Sequence, residues 1–496
     1  MPGLHEECGV LGIYSPTRTH IAEDCFYGLC ALQHRGQESC GIAVNQDGLF
    51  RVHTGQGLVT DVMTPRVLSL LGEGNMATGH TRYGTNDTRG RVHAQPIVVD
   101  HQKGRMALCN NGNLTNYNEL RAQFESQGFI FHTTGDAEII SCVITRERLT
   151  ARSIEEAVVR AMAYLEGSYT LVIMSPQKLI AVRSPRAFRP LCYGVLPGGG
   201  YVVASESCAL DAVGAQLVRD LGAGEVIVFD KNGAHSHPYA GTVKRSMCIF
   251  EYIYFARPDS VLDGVSVHEA RARAGEQLWR EHPVEADIVV GVPDSGIDGA
   301  IGFARASGVP YGLGFIKNKY IGRTFIAPQQ GDRQSALRIK LNAMSATVSG
   351  KRVVLVDDSI VRGTTSAKIV NLLREAGATQ VHVRITAPPF LNPCYYGTDI
   401  SSREHLIACL MTTEEIRRHI GADSLGYLSV EGVRTIAAHG SGGSPGVAYN
   451  PDGKLLASIG VDGAARVWDA TWPMLSPVTR PRHSLSLARR SAIRIM

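Results

Sequence analysis

The fourteen residues Val353-Val-Leu-Val-Asp-Asp-Ser-Ile-Val-Arg-Gly-Thr-Thr-Ser366 constrain this chain more than any other segment. A run of β-branched and leucine residues that ends on two acids predicts a strand buried on both faces, with Asp357 and Asp358 at its C-terminal end. In open parallel sheets that end is where ligands sit. The small and hydroxylated residues Arg362-Gly363-Thr364-Thr365-Ser366 then lead into a helix pattern, Ala367–Ala376, stopped by Gly377. Free N–H groups and hydroxyls at such a helix start bind a phosphate monoester. Two acids beside a phosphate loop suit ribose hydroxyls or a hydrated magnesium ion. The plain alternative is a solvated acidic turn capping a helix. Further continuous apolar runs, Ala286–Val292 and Val381–Thr386, alternate with helix patterns, so residues 241–435 read as an α/β domain with a parallel sheet.

Residues before about 240 have a different texture. Short apolar runs (Gly9–Ile13, Gly41–Val44, Leu171–Met174, Tyr201–Ala204, Val226–Phe229) lie between glycine-rich turns, interrupted by amphipathic helix patterns such as Ile154–Leu165. This is layered α+β. The chain of 496 residues is long enough for two or three domains. Its 50 basic residues stand against 46 acids, and five of the arginines lie in the acid-free stretch 473–496; the body is therefore neutral, unlike a nucleic-acid binder. No apolar run approaches the ~20 residues that span a bilayer. The N-terminal residues lack the basic and apolar regions of a secretory signal. With 11 scattered cysteines, the expectation is a cytoplasmic protein with reduced thiols.

The Val353–Ser366 string resembles the phosphoribosyl-pyrophosphate motif of type I phosphoribosyltransferases. By that resemblance the loop 362–366 holds the 5-phosphate and Asp357 and Asp358 hold the ribose hydroxyls. Val292-Pro-Asp-Ser-Gly296 resembles the matching pyrophosphate loop, with Ser295 a magnesium contact beside the two acids. Lys317-Asn-Lys-Tyr-Ile-Gly-Arg-Thr-Phe325, carrying Lys317 and Arg323, resembles the basic loop that closes on pyrophosphate.

A second constellation begins at Cys8-Gly-Val-Leu-Gly-Ile13. A cysteine at a chain terminus has a built-in base, because an α-amino group of pKa ~7.7–8.0 can take the thiol proton. That chemistry requires a prosegment, residues 1–7, to be removed; otherwise Cys8 is an ordinary buried thiol. Gln33-His-Arg-Gly-Gln-Glu38, His80-Thr-Arg-Tyr-Gly84, Asn111-Gly-Asn-Leu-Thr115 and Thr134-Gly-Asp136 follow as short polar clusters that read as turns. In that order they resemble the class II glutamine amidotransferases, which are N-terminal-nucleophile hydrolases of four-layer αββα fold. The resemblance makes Cys8 the nucleophile and has Arg82 hold the glutamine α-carboxylate and Asp136 its α-amino group. Asn111 and the Gly112 N–H become the oxyanion hole.

Joined on one chain, residues 8–240 and 241–435 resemble the amidophosphoribosyltransferase family, and the junction string Cys248-Ile-Phe-Glu-Tyr-Ile-Tyr-Phe-Ala-Arg-Pro-Asp259 belongs to the likeness. This implies that ammonia from glutamine crosses an internal channel and displaces pyrophosphate from phosphoribosyl pyrophosphate, giving 5-phosphoribosylamine for purine synthesis. It also implies Mg2+, feedback inhibition by purine nucleotides, and a homo-oligomer, dimer or tetramer. A catalytically impaired or regulatory phosphoribosyl-pyrophosphate-binding relative is the alternative; the neutral body and the complete set of glutaminase clusters speak against it. The prosegment-bearing branch usually holds a four-iron four-sulfur cluster on four cysteines. Cys248 and Cys394 match the first two, the C-terminal Cys-x-x-Cys is absent, and an intact cluster is not expected. Residues 436–470, with His439-Gly440 and Trp468-Asp469, resemble one WD-repeat propeller blade, and 471–496 read as a basic, disordered tail.

Overall fold

The structure, a computed structural model, describes residues 8–84, 90–243, 245–318, 341–398 and 402–437, and the backbone of strands 446–449, 455–459 and 465–469. Arg323 and the proposed prosegment lie outside the described residues, as does the stretch 471–496.

The first half stacks two antiparallel sheets. Strand Gly9–Thr19 is central in a seven-stranded sheet, between Tyr201–Ala204 and Gly74–Arg82. In a six-stranded one, strand Gly104–Leu114 lies between Ile97–His101 and Gly167–Met174. Side chains alternate across each strand. Leu11 and Ile13 pack on helix Ile21–Ala31, while Val10 and Tyr14 face Cys109, Val172 and Met174 of the second sheet. The outer face of that sheet, with Leu108, Leu171 and Ile173, buries Phe124, Ile140 and Val143 of helices Tyr117–Ser126 and Asp136–Arg148. The layers therefore run helix, sheet, sheet, helix. Strand Gly9–Thr19 continues six residues beyond the apolar run read from sequence, because Pro16–Arg18 extend as exposed backbone that carries no hydrophobic signal.

The second half holds an all-parallel sheet in the order Ile288–Gly291, Arg352–Asp357, Gln380–Ile385, Ser424–Tyr427. Val353, Val354, Leu355 and Val356 are all buried, as a strand covered on both faces requires. Helix Gly296–Ser307 packs against the first two strands and under helix Val267–Glu281, while Thr364–Glu375 and Thr413–Ile420 lie along the last two. The fourth strand was not legible: Ser-Leu-Gly-Tyr has no β-branched run, and only its neighbour Gln380–Ile385 gives it a ladder. Residues 394–396 dock on the first half. Tyr396 stacks on Phe188 with ring centroids 4.6 Å apart, and its carbonyl accepts from Ser168 Oγ at 2.7 Å and Arg189 Nη2 at 2.9 Å. Near the C-terminus, Gly446–Tyr449, Leu455–Ile459 and Ala465–Asp469 pair as an antiparallel three-stranded meander.

Candidate active sites

Cys8 stands at the mouth of strand Gly9–Thr19, where pairing of Gly9 with Thr81 brings it level with Arg82. Its thiol donates to the Tyr83 carbonyl at 3.7 Å, and its own carbonyl accepts from Arg35 Nε at 3.1 Å. Asn111 reaches this region from the other sheet. It is 0% exposed, and neither its amide oxygen nor its amide nitrogen finds a hydrogen-bond partner among the described residues. A buried amide left unpaired costs ~1–3 kcal/mol per group, a burden that stability alone does not explain. Asn111–Gly112 is not the turn its dipeptide suggests; it lies inside strand Gly104–Leu114. Glycine is required there, because φ is +142° and a Cβ would fall 2.2 Å from the Ser168 carbonyl oxygen.

Asp136 opens helix Asp136–Arg148, and its Oδ2 accepts from the Leu114 N–H at 2.8 Å. Burial lifts its carboxyl to about 6, against the opposing pull of that N–H and of the Arg82 charge. His80 is fully buried, and burial together with Arg82 lowers its imidazole to about 3, so it is neutral. Its Nε2 lies 3.0 Å from the Asn110 carbonyl oxygen. The result is a buried neutral histidine, the Arg82 guanidinium, a carboxyl close enough to feel its charge, and an amide with no hydrogen-bond partner among the described residues.

The second site is a cavity of about 730 Å³ at the C-terminal end of the parallel sheet. Asp357, Asp358, Ser295, Lys317 and all five residues of 362–366 line it. Gly363, at φ +77°, turns the chain into helix Thr364–Glu375, whose first N–H groups have no helical acceptor. Ser295 Oγ and Ser359 Oγ both donate to Asp358, and Lys317 pairs with Asp294. Burial, then the neighbouring Asp358 carboxylate, pushes Asp357 well above the carboxylate range; burial also raises Asp358 despite the two serines. Two adjacent carboxyls held back from ionisation are relieved by a divalent cation or ribose hydroxyls, so the donor set fits Mg2+ with a sugar phosphate.

Tyr254 lines the same cavity; burial raises its phenol, and Asp358, Asp357 and Tyr83 add to the rise. Cys248 and Cys394 come near one another; the Cys248 thiol is raised to about 12, chiefly by burial, and Cys394 Sγ accepts from the Tyr396 N–H at 3.4 Å. Among the described residues no three or more His, Cys, Asp or Glu side chains are grouped to hold a metal ion. Arg35, Glu206 and Glu251, none of them a site candidate from sequence, form a buried ion network between the halves. Their separations of 171 and 216 positions leave no local signal.

A helix–sheet–sheet–helix half that carries Cys8 at a strand end, beside a parallel-sheet half with a phosphate-loop cavity, fits a glutamine-dependent transferase acting on a phosphoribosyl substrate. Residues 80–212 match the family model described as glutamine amidotransferase domain, and 260–398 match that described as phosphoribosyl transferase domain. The chain is 47% identical over 432 residues to the amidophosphoribosyltransferase of Bacillus subtilis, covering 87% of this chain and 90% of the relative. It is 48% identical over 426 residues to that of Archaeoglobus fulgidus, covering 86% and 93%. The solved glutamine phosphoribosylpyrophosphate amidotransferase of B. subtilis, complexed with ADP and GMP, superposes with a TM-score of 0.82 at 45% identity, covering 88% of this chain and 94% of that one. The chain belongs to the amidophosphoribosyltransferase family. It is a glutamine amidotransferase and pentosyltransferase of purine biosynthesis, and among the described residues no helix is long and apolar enough to cross a membrane.

Proposed function

We propose that Cys8, freed as the first residue by removal of residues 1–7, is the nucleophile that opens the glutamine amide. Its α-amino group takes the thiol proton and passes it to the leaving nitrogen, so a thioester forms and ammonia departs; water then releases glutamate. Arg82 pairs with the substrate α-carboxylate, and Asp136, ionised above about pH 6, pairs with its α-ammonium group. Asn111 Nδ2 and the Gly112 N–H stabilise the oxyanion, a role worth ~3–4 kcal/mol per donor in other hydrolases. Ammonia passes Tyr83 and Tyr254 and attacks C1 of phosphoribosyl pyrophosphate, whose 5-phosphate rests on residues 362–366. Pyrophosphate leaves with inversion, and 5-phosphoribosylamine remains. Ser295, Asp357 and Asp358 would hold Mg2+, which when bound neutralises the leaving pyrophosphate. Lys317, which lines the cavity, and Arg323, by the resemblance of its segment, would pair with the pyrophosphate.

The observation that carries this reading is the fully buried Asn111 amide with both polar atoms unpartnered. We further infer a cytoplasmic homo-oligomer, dimer or tetramer, restrained by purine nucleotides; the B. subtilis relative solved with ADP and GMP supports the last point. Residues 1–7, 8–240, 241–435, 436–470 and 471–496 are the units we assign, the fourth as a blade-like segment. The test is glutamine hydrolysis by the purified chain with and without phosphoribosyl pyrophosphate, after its intact mass has located the N-terminus. Hydrolysis with Cys8 exposed, stimulated by the sugar phosphate, is expected. An exposed Cys8 without hydrolysis would overturn the assignment.

A further inference from the structure

Hydrolysing glutamine while the sugar-phosphate cavity is empty wastes ammonia, so a device that senses the cavity and acts on Cys8 has a clear use. A chain of hydrogen bonds runs between the two. Arg35, 1% exposed, donates from Nε to the Cys8 carbonyl at 3.1 Å, and from Nη1 to Glu206 Oε1 at 2.6 Å. Glu206 Oε1 is shared with His34 Nε2 at 2.7 Å. The His34 side chain is 25% exposed and lines the cavity that holds Asp357, Asp358 and Lys317. Its Nδ1 faces the Ala31 carbonyl oxygen at 3.1 Å. Both of its partners, the Ala31 carbonyl and the Glu206 carboxylate, are hydrogen-bond acceptors.

We infer that His34, Glu206 and Arg35 form a positioning relay through which an anionic ligand in the cavity adjusts the backbone of Cys8; this rests on Cys8 being the nucleophile. The Glu206 carboxylate is anchored on its other oxygen by the Arg257 N–H at 2.9 Å and Ser260 Oγ at 2.7 Å. Burial alone would raise its carboxyl, but His34 and Arg35 outweigh that and hold it ionised. A pyrophosphate group entering the cavity competes with Glu206 for His34. Glu206 Oε1 then binds Arg35 alone, and the guanidinium, pivoting on its pairing with Glu251, shifts the carbonyl it holds. Displacements of a fraction of an ångström at a nucleophile change attack geometry enough to matter. An ion cluster that merely cemented the halves would need only the Arg35–Glu251 pair, whose Nη2–Oε1 distance is 3.0 Å. The histidine facing the cavity and the bond to the nucleophile's carbonyl are what cementing leaves unexplained.

The test compares the wild-type full chain with Glu206→Gln and His34→Gln. Glutamine hydrolysis is measured without and with saturating phosphoribosyl pyrophosphate and Mg2+, and product formation from ammonium chloride is measured in the same samples. Glu206→Gln is expected to keep ammonia-driven synthesis within twofold of wild type while losing at least tenfold of the stimulation of hydrolysis. His34→Gln, altered only at a partly exposed ring, is expected to lose at least fivefold and decides the matter if Glu206→Gln does not fold. Undiminished stimulation in a folded Glu206→Gln protein, or in His34→Gln, overturns the relay. So does a wild type without stimulation; its ammonia-driven synthesis then shows whether the enzyme reading stands by itself.

Discussion

Asp136 lets stability and catalysis be set against each other in one residue. Its carboxyl titrates near about 6 in the fold against an ordinary 3.8, because burial outweighs the Leu114 N–H and the Arg82 charge. The folded state thus holds this proton more tightly than the unfolded chain does. The sign follows: stability from this group is fullest below about pH 4, falls as pH rises from about 4 to about 6, and stays low above that. A carboxyl raised this far costs the fold at most about 3 kcal/mol at neutral pH. Asp136→Asn removes the penalty while its amide oxygen can still accept from the Leu114 N–H. At pH 7.5 the variant should melt above the wild type, by about 5–10 °C if the full penalty is recovered, and the gap should close below pH 4. Its kcat/KM for glutamine should fall about a hundredfold or more, since the substrate ammonium loses a buried counter-charge. Ammonia-driven synthesis, made in the other cavity, should be unchanged. In the wild type, kcat/KM for glutamine should drop about tenfold per pH unit below pH 6. Scanning fluorimetry and a coupled glutamate assay suffice. A variant that melts lower than wild type at pH 7.5, or that keeps kcat/KM within threefold, would falsify the assignment of Asp136.

Asn111→Ala should lower kcat for glutamine hydrolysis by about 10²–10³ with little loss of stability, because the amide it removes makes no hydrogen bond among the described residues; unfolding curves and single-turnover rates check both halves. Chelating divalent cations, or making Asp358→Asn, should abolish synthesis from ammonium chloride and leave basal glutamine hydrolysis intact, and equal loss of both would contradict two separate sites. Gly363→Val should destabilise the second half by about 1–2 kcal/mol, since φ is +77° and the new Cβ would lie 2.6 Å from Ile407 Cδ1. It should also raise KM for phosphoribosyl pyrophosphate, which steady-state kinetics with ammonia would read.

Locally encoded features were legible. The run Val353–Val356 is a strand covered on both faces, and the acids and the small residues after it sit at its C-terminal end around the cavity, because β-branched runs and glycine turns act over a few residues. Cys8 before an apolar strand, and the order of the polar clusters after it, were readable for the same reason. Asn111–Gly112 shows where local reading stops. As a dipeptide it signals a turn, yet pairing with Thr170 and Tyr169 holds it in mid-strand, with φ of Gly112 at +142°. Strand Ser424–Tyr427 likewise exists through its neighbour, not through its own residues.

What sequence determined by itself was therefore the class of each half and the identity of the chemical groups, since motif, periodicity and turn chemistry are short-range. Tertiary structure alone decided how those groups behave. It buries Asp136 until its carboxyl titrates near about 6, leaves the Asn111 amide without a partner, and joins Arg35 to Glu206 and Glu251 across 171 and 216 positions. Desolvation and ion pairing depend on which distant side chains share a low-dielectric space, and only the packed fold specifies that.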